Sequence, residues 1–250
     1  MSGGLTRGAK VSAFARSFLI QGSWNYHTML GSGFAFAMLP ALKQLFGSDP
    51  DEMDASVARH LEHFNAHPYL SSVALGAALR LEADGVDEET VRRFKMAVRG
   101  PLGSLGDALV WATWLPGVAV AALTLYWLGL PGWTSAAFFL VVYNVGHLGL
   151  RVWGFRTGLE AGQDVGRRLG EADLTGWTKR LQPVLVLLLG GLVGAVIGGA
   201  GGLAEAGVWW LVLAGAGFVA GLLGGHKAWR PAAFLTVAAI GTISVIGVLR

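Results

Sequence analysis

Hydrogen-bonding side chains are concentrated at the centre of an apolar segment near the start of the chain, "RSFLIQGSWNYHTMLGSGFAFAMLPALKQLF" at 16–46. Gln21, Ser23 and Asn25 offer neutral donors and acceptors, and Trp24 offers an aromatic face beside them. Amides and hydroxyls pair with sugar hydroxyls, while the C–H faces of a sugar pack on aromatic rings. This combination predicts a carbohydrate site.

The backbone of the same segment is predicted to be irregular. Gly22, Gly31 and Gly33 provide the breaks. Irregular chain is tolerated at membrane depth where it lines a cavity, and broken helices build the substrate sites of many transporters. If the segment is helical, Gln21 and Asn25 lie four residues apart on one face and project into that cavity.

Three histidines recur at i, i+3 and i+7 in "HLEHFNAHP", namely His60, His63 and His67. On one helical face they could ligate a metal, and an independent intramembrane enzyme would use them that way. However, HExxH is absent and no carboxylate stands where a general base is expected. We therefore favour capping and hydrogen-bonding histidines beside Asn65, and we expect no metal, no cofactor and no catalytic residue.

A glycine-rich motif, "GPLGSLGDA", ends at Asp107. It lacks the GK[ST] ending of a P-loop, so nucleotide binding is not expected. Two interpretations stay open. Asp107 could be the N-cap of the apolar helix that follows, or the glycines could form a re-entrant tip that faces a polar cavity together with Asp107.

Composition indicates a polytopic membrane protein. The chain has 250 residues, of which 53% are hydrophobic and 14% charged, with a mean hydropathy of +0.53. Soluble domains carry roughly 25% charged residues. Stretches free of Asp, Glu, Lys and Arg, each about the length of a bilayer crossing, are 108–130, 132–150, 183–204, 206–225 and 231–249.

The sequence therefore predicts an all-α integral membrane protein with re-entrant or broken N-terminal helices and about five crossings. Residues 1–107 form a cytoplasmic amphipathic and re-entrant region, and 108–250 form the transmembrane region. Within the first, 49–67 is predicted to be a helix stopping at Pro68, and a second solvated helix begins near Asp87 and stops at Gly100.

Basic residues in the 151–182 loop place that loop in the cytoplasm and the C-terminus outside.

The apolar stretch 69–81 is too short to span and suits a re-entrant arm. Asn144, His147 and Arg151 follow one another at one-turn intervals. Two roles stay open for them: they could form an interhelical hydrogen bond, or they could line a pathway through the protein.

Glycines repeating every fourth residue from Gly190 to Gly202 predict a helix-contact face.

Two classes of function are excluded by composition. A net charge of +3 is too small and scattered for a nucleic-acid interface, and the absence of cysteine excludes disulfides and thiolate chemistry.

Four motifs in order, "RSFLIQGSWNY", "RHLEHFNAHPY", "GPLGSLGDALVWAT" and "NVGHLGLRVWGFRTGLEAG", resemble the IID component of the mannose/fructose/sorbose family of the bacterial phosphotransferase system. The resemblance runs from about Arg16 to Gly194. It implies a multi-pass subunit of the bacterial cytoplasmic membrane that pairs with a IIC subunit to move a hexose. A cytoplasmic IIAB subunit phosphorylates the sugar, and the IIC–IID pair is expected to form a higher oligomer.

Where this chain matches the family's motifs, the resemblance implies which of its residues bind substrate. These are Gln21, Ser23, Trp24, Asn25, Asn65, His67 and Asp107. The chain departs from the family pattern at His27, where Glu is usual, at His63, where Phe is common, and at Leu115, where Arg commonly precedes the proline. These departures leave a second possibility, a transport-defective scaffold or regulator of the same fold.

Overall fold

The structure, a computed structural model, describes residues 4–199, and its regular elements over that range are all helical. The helices are α1 (Arg7–Arg16), α2 (Gly31–Phe46), α3 (Pro50–Leu61), α4 (Ser71–Ala83), α5 (Glu88–Gly106), α6 (Leu115–Trp127), α7 (Gly132–Ala161), α8 (Val165–Glu171) and α9 (Leu174–Gly199). A π-helical segment, Asp107–Trp114, joins α5 to α6, and 3-10 turns occupy Ser17–Leu19 and Gly162–Asp164. The all-α prediction is confirmed for this range.

Two helical stretches among the described residues are long and apolar enough to cross a membrane, Glu88–Trp127 and Gly132–Val193. The predicted break between the first two crossings is present, since α6 ends at Trp127 and α7 begins at Gly132. The predicted crossings 206–225 and 231–249, the end of 183–204 and the position of the C-terminus lie outside the described residues. The number five stays a prediction.

The 69–81 stretch forms most of α4, which lies at the centre of the core. Nearly every α4 side chain is buried, and the helix contacts α2, α5 and above all α7. The crossing with α7 is close because Gly76 and Gly158 each lie against the backbone of the facing helix, while Gly154 lies against the side chains of Ser72 and Val73. Burial inside the protein is therefore a sufficient reason for the apolar sequence, and a re-entrant arm stays a prediction.

Among the described residues the close glycine contacts lie at the α4–α7 crossing, and the predicted contact face from Gly190 to Gly202 stays a prediction. An added Cβ at Gly190 or Gly191 would meet no atom within 4 Å, whereas Gly158 leaves no room for one. The later glycines of that row, including Gly202, lie outside the described residues. Small residues bring helices together here, as expected in a membrane, but at Gly76, Gly154 and Gly158.

No helix begins at Asp107. The chain stays helical from Glu88 to Trp127, so the predicted stop at Gly100 and the predicted N-cap at Asp107 are both wrong. Pro101 lies inside α5, where it removes one backbone hydrogen bond without ending the helix. The predicted start is confirmed, because Asp87 caps α5 by accepting a hydrogen bond from the Thr90 amide at 3.0 Å.

Helix α3 ends at Leu61, before the predicted stop at Pro68. Glu62 already has extended backbone angles, and the Phe64 amide and carbonyl pair with Thr28 and Leu30. This pairing satisfies backbone groups that a longer helix would otherwise use. His60, His63 and His67 therefore do not share a helical face, and the predicted three-histidine face is wrong.

A buried ionic cluster ties α3 to α4. Arg59 donates to both carboxylate oxygens of Glu82, from Nε at 2.8 Å and from Nη2 at 2.7 Å. His60 Nε2 lies 2.7 Å from Glu82 Oε1. Burial alone would raise the pKa of Glu82, but the hydrogen bonds from Arg59 and His60 outweigh it and lower this pKa to about 2. Glu82 is therefore ionised in the folded protein.

Burial also keeps His60 neutral. Its Nδ1 is buried without a hydrogen-bond partner among the described residues, so a second proton would be left unpaired there. Burial, despite the hydrogen bond to Glu82, lowers the pKa of His60 to about 4. Neutral His60 thus donates Nε2–H to Glu82.

This shift predicts a specific loss of stability in mild acid. The folded pKa of His60, about 4, is below its ordinary value of 6.5. The contribution of neutral His60 is complete above the ordinary value and is lost as pH falls from there towards the folded pKa. Between these limits wild type takes up about one proton more on unfolding than His60→Gln does. The unfolding midpoint of the variant should therefore fall less steeply than that of wild type as the pH is lowered. Thermal unfolding in detergent across this range tests it, and identical slopes would contradict it.

Candidate functional site: three neighbouring sequence motifs

The segment between α1 and α2 is a compact turn rather than a broken helix. Asn25 Oδ1 accepts from the amides of His27 at 3.0 Å and Thr28 at 2.9 Å. Its Nδ2 donates to Ser23 O at 3.2 Å and to Thr28 Oγ1 at 2.8 Å. All four hydrogen-bonding positions of the amide are occupied, so Asn25 holds the turn together. Gln21 and Asn25 do not share a helical face.

This turn is joined to the chain after α3. The Leu30 amide donates to Phe64 O at 2.8 Å, and the Phe64 amide donates to Thr28 O at 3.1 Å. Gly31 makes the approach possible, because a Cβ there would overlap the carbonyl oxygens of Leu61 and Glu62. The structure therefore brings the first two sequence motifs side by side.

The third motif packs against the second. Gly106 lies so close to the His67 side chain that a Cβ would overlap it, and Gly103 faces Ala66. The glycines of "GPLGSLGD" are therefore contact points within a helix rather than the tip of a loop. Asp107 follows directly on this contact. The chain at 62–68 is the centre, with one motif on each side.

Most of the predicted site residues lie at the surface of this assembly. Gln21, Ser23, Trp24, Asn65 and Asp107 are exposed. The side chains of Gln21, Asn65 and Asp107 form no hydrogen bond with another described residue, whereas Ser23 Oγ donates to Ser32 Oγ at 2.8 Å. Polar groups without protein partners at these positions can bind a hydroxylated ligand.

Aromatic rings border the turn. Trp24 is 45% and Tyr26 82% exposed, and their rings meet edge to face at 4.9 Å. Exposed rings beside amides fit the carbohydrate chemistry predicted from the sequence. His27, one of the departures from the family pattern, is exposed in the same turn.

His67 differs from the other predicted residues because it is buried. Its Nδ1 accepts from the Tyr69 amide at 3.2 Å, so the ring proton is on Nε2, which has no hydrogen-bond partner among the described residues. Burial, and then the charge of Arg151, lower the pKa of His67 to about 4. His67 is a neutral group beneath the surface and supports the 62–68 chain from inside.

Arg151 is the residue whose role the sequence least revealed. It is 3% exposed, donating from Nε to His147 Nε2 at 2.8 Å and from Nη1 to Ser17 O at 3.1 Å. Its guanidinium also lies over the rings of Phe18 and Tyr69. Arg151 therefore fixes the end of α1, where the turn begins, to α7. The one-turn spacing of His147 and Arg151 was the available signal: it produces a hydrogen bond within α7, and Arg151 adds the hydrogen bond to Ser17 O on another segment.

The profile of the PTS system mannose/fructose/sorbose family IID component matches residues 4–200. The chain belongs to this family. The mannose-specific EIID component of Escherichia coli (strain K12) is 30% identical to this IID chain over 194 residues, which are 76% of this chain and 68% of the relative. The fructose permease IID component of Bacillus subtilis (strain 168) is 28% identical over 194 residues, 76% of this chain and 70% of the relative.

Solved structures agree with the family. The cryo-EM structure of the mannose transporter ManYZ in complex with microcin E492 (MceA) contains a chain with 30% identity and a TM-score of 0.60, covering 76% of this chain and 70% of that one. A second membrane-protein structure gives 31% identity and a TM-score of 0.67 over the same shares. This IID chain is therefore a membrane component of the sugar phosphotransferase system.

Proposed function

We propose that this IID chain pairs with a IIC subunit to form the hexose pathway of a phosphoenolpyruvate-dependent permease. A cytoplasmic IIAB subunit would phosphorylate the sugar, and this chain would carry no phosphoryl group. The observation that supports the proposal most is the packing of three sequence motifs against one another, with Gln21, Asn65 and Asp107 exposed and without a side-chain hydrogen bond to any described residue. The similarity to a chain of the ManYZ mannose transporter supports a IIC partner.

The roles within the site are divided between contact and support. Gln21, Ser23, Asn65 and Asp107 would bind sugar hydroxyls, and Trp24 would cover an apolar face of the sugar. Asn25 and His67 would hold the contacting residues in place, because the amide of Asn25 is fully engaged and His67 is buried. We propose that the IIC subunit supplies the other side of the sugar-binding cavity.

Replacing an exposed amide tests the contact role. Asn65→Leu and Gln21→Leu should leave recovery of the subunits unchanged, since neither side chain bonds to another described residue. Leaving sugar hydroxyls unpaired costs about 1–3 kcal/mol, which is roughly 5- to 150-fold in affinity. Sugar affinity and subunit recovery are measured on one preparation of the IIC–IID complex.

Asn25→Leu is the matched control. It removes the four hydrogen bonds of the turn, so it should lower recovery and thermal stability together with binding. Intact sugar affinity in well-assembled Asn65→Leu and Gln21→Leu complexes would refute the site. Intact assembly with no detectable sugar binding by wild type would instead favour the scaffold function that the departures at His27 and Leu115 suggest.

Single cysteines in this cysteine-free chain test the proposed orientation. Thr175 is exposed in the first turn of α9, within the basic region 151–182, and is predicted to be cytoplasmic, whereas position 206 is predicted to be outside. Only Ala206→Cys should react with an impermeant thiol reagent added to whole cells, and Thr175→Cys should react after the cells are broken. Labelling of Thr175→Cys in intact cells would overturn the orientation.

A further inference from the structure

Two polar side chains of the chain after α3 share one side of it. Phe64 and Ala66 are buried, whereas His63 and Asn65, the residues that precede them, are exposed. Successive side chains of an extended chain point to opposite sides, so this alternation places His63 and Asn65 on the same side. Their Cα atoms are at most about 7 Å apart, the span of two residues of extended chain. One monosaccharide can therefore contact both side chains.

A guanidinium holds the His63 ring in place. Arg99 Nη1 lies 3.0 Å from His63 Nδ1 and 3.3 Å from the His63 carbonyl oxygen. Arginine can only donate, so Nδ1 is the acceptor and the ring proton is on Nε2. This Nε2–H, and the Nε and Nη2 donors of Arg99, form no hydrogen bond with any other described residue. The pair therefore offers an imidazole N–H and guanidinium N–H groups, which are donors that a carboxylate accepts from.

Arg99 has no carboxylate partner among the residues that the structure describes. Arg92 and Arg93, the other arginines of α5, each bind glutamates. Glu62 accepts from Arg92 at 2.6 Å and so is already paired. The turn at 17–30 contains no acidic residue. Arg99 is thus a cation without a counter-ion beside the proposed sugar contacts.

The acid among those proposed contacts lies at the other end of the site. Helix α5 runs alongside the 62–68 chain in the same direction, since Arg99 contacts its start and Gly106 its end. Asp107 lies about 12 Å beyond Arg99 along the helix, at roughly 1.5 Å per residue. The site therefore has a cationic end, the neutral amide of Asn65, and then a carboxylate. A ligand with an anionic group at one end and hydroxyls along the rest matches this order.

We propose that the ligand of this site is a hexuronate, a hexose oxidised to a carboxylate at C6, and that Arg99 and His63 bind this carboxylate. The inference rests on the proposed function, in which Asn65 and Asp107 bind hydroxyls and Trp24 covers the ring. A guanidinium carries one charge and offers parallel donors, which match the single charge and two oxygens of a carboxylate. A phosphate ester carries a charge of about −1.5 to −2 and exceeds the charge of Arg99.

Matched ligands test the proposal by isothermal titration calorimetry on the full chain in complex with its IIC subunit. D-Glucuronate, D-galacturonate and D-mannuronate are each compared with the neutral hexose of the same stereochemistry. In the series that binds most tightly, the uronate should bind about tenfold more tightly than the hexose, the effect of one charge-assisted hydrogen bond. The 6-phosphate of that hexose should bind less tightly than the uronate. A hexose or a hexose 6-phosphate that binds as tightly as its uronate would overturn the proposal.

Variants of the pair separate charge recognition from binding of the sugar ring. Arg99→Gln should lower uronate affinity about tenfold and leave hexose affinity unchanged, and Arg99→Lys, which keeps the charge, should recover part of the loss. His63→Phe keeps a ring without the Nε2 donor and should lower uronate affinity about fivefold. Arg93→Gln is the control, because Arg93 lies on the same helix but is exposed and paired with Glu89.

The outcomes distinguish this inference from the proposed function. Equal losses of uronate and hexose affinity in Arg99→Gln, or unchanged uronate affinity in both Arg99→Gln and His63→Phe, would overturn the assignment of the carboxylate to this pair. Wild type that binds a neutral hexose without preferring its uronate would refute this inference alone. Wild type that binds neither class of sugar would refute the proposed function as well.

Discussion

Replacing Glu82 with glutamine is expected to prevent recovery of most of the folded IID chain. The carboxylate, with only 1% of its side chain exposed, neutralises Arg59 and accepts from His60. A neutral amide offers one oxygen to these donors and turns its own N–H₂ towards one of them. Removing one partner from a buried ion pair costs about 3–5 kcal/mol, because the other charge stays buried.

Glu52→Gln is the matched control. Glu52 also contacts Arg59, at 3.1 Å, but its side chain is 45% exposed. An exposed ion pair contributes about 0–1 kcal/mol, so this variant should fold almost as well as wild type. The monodisperse fraction by fluorescence size exclusion and the thermal midpoint compare the two. Similar losses in both variants would show that the charge of Arg59 is not held mainly by Glu82.

The second large effect is expected at Gly158. A Cβ at this position would lie 2.6 Å from the Ala77 amide nitrogen and would also overlap the Val73 carbonyl oxygen. These are backbone atoms of the buried helix α4, so no side chain can rotate away to relieve the clash. Gly158→Leu should therefore push α4 and α7 apart. Overpacking a core typically costs 1–3 kcal/mol, and we expect the upper end or more.

The same helix provides the comparison. A Cβ at Gly149 would meet no atom within 4 Å, so Gly149→Leu should be tolerated by the isolated chain. Recovery and thermal midpoint are measured for both variants in detergent. Normal recovery of Gly158→Leu would mean that the α4–α7 crossing is wider than in this structure.

The sequence predicted those features that depend on composition and local chemistry. The helical class follows from apolar stretches bounded by turns, and the Asp87 cap follows from the preference of a carboxylate for helix N-termini. The family follows from the sequence motifs themselves, which contain Gln21, Asn65 and Asp107. In each case the deciding interactions lie within a few residues or within one continuous motif.

Features that depend on tertiary contacts could not be predicted in this way. Pro101 reads as a helix stop, but the helix continues through it, and Gly106 on the next turns packs against His67. Asn25 reads as a ligand-binding amide, but its neighbours in the turn occupy all its hydrogen bonds. Arg151 reads as a cytoplasmic charge, yet it is buried against Ser17, more than a hundred residues earlier in the chain.

The π-helical segment makes α5 and α6 two halves of one helix with different phases. The whole stretch has 40 residues, about 60 Å at 1.5 Å per residue, or twice the hydrocarbon thickness of a bilayer. Each π turn takes in one residue more than an α turn, which rotates everything after it by roughly 100°. A pattern of side chains traced along α5 must therefore be rephased at Asp107 before it is continued into α6. The residue count between Gly106 and Leu115, as much as the side chains there, determines which side of α6 meets α7.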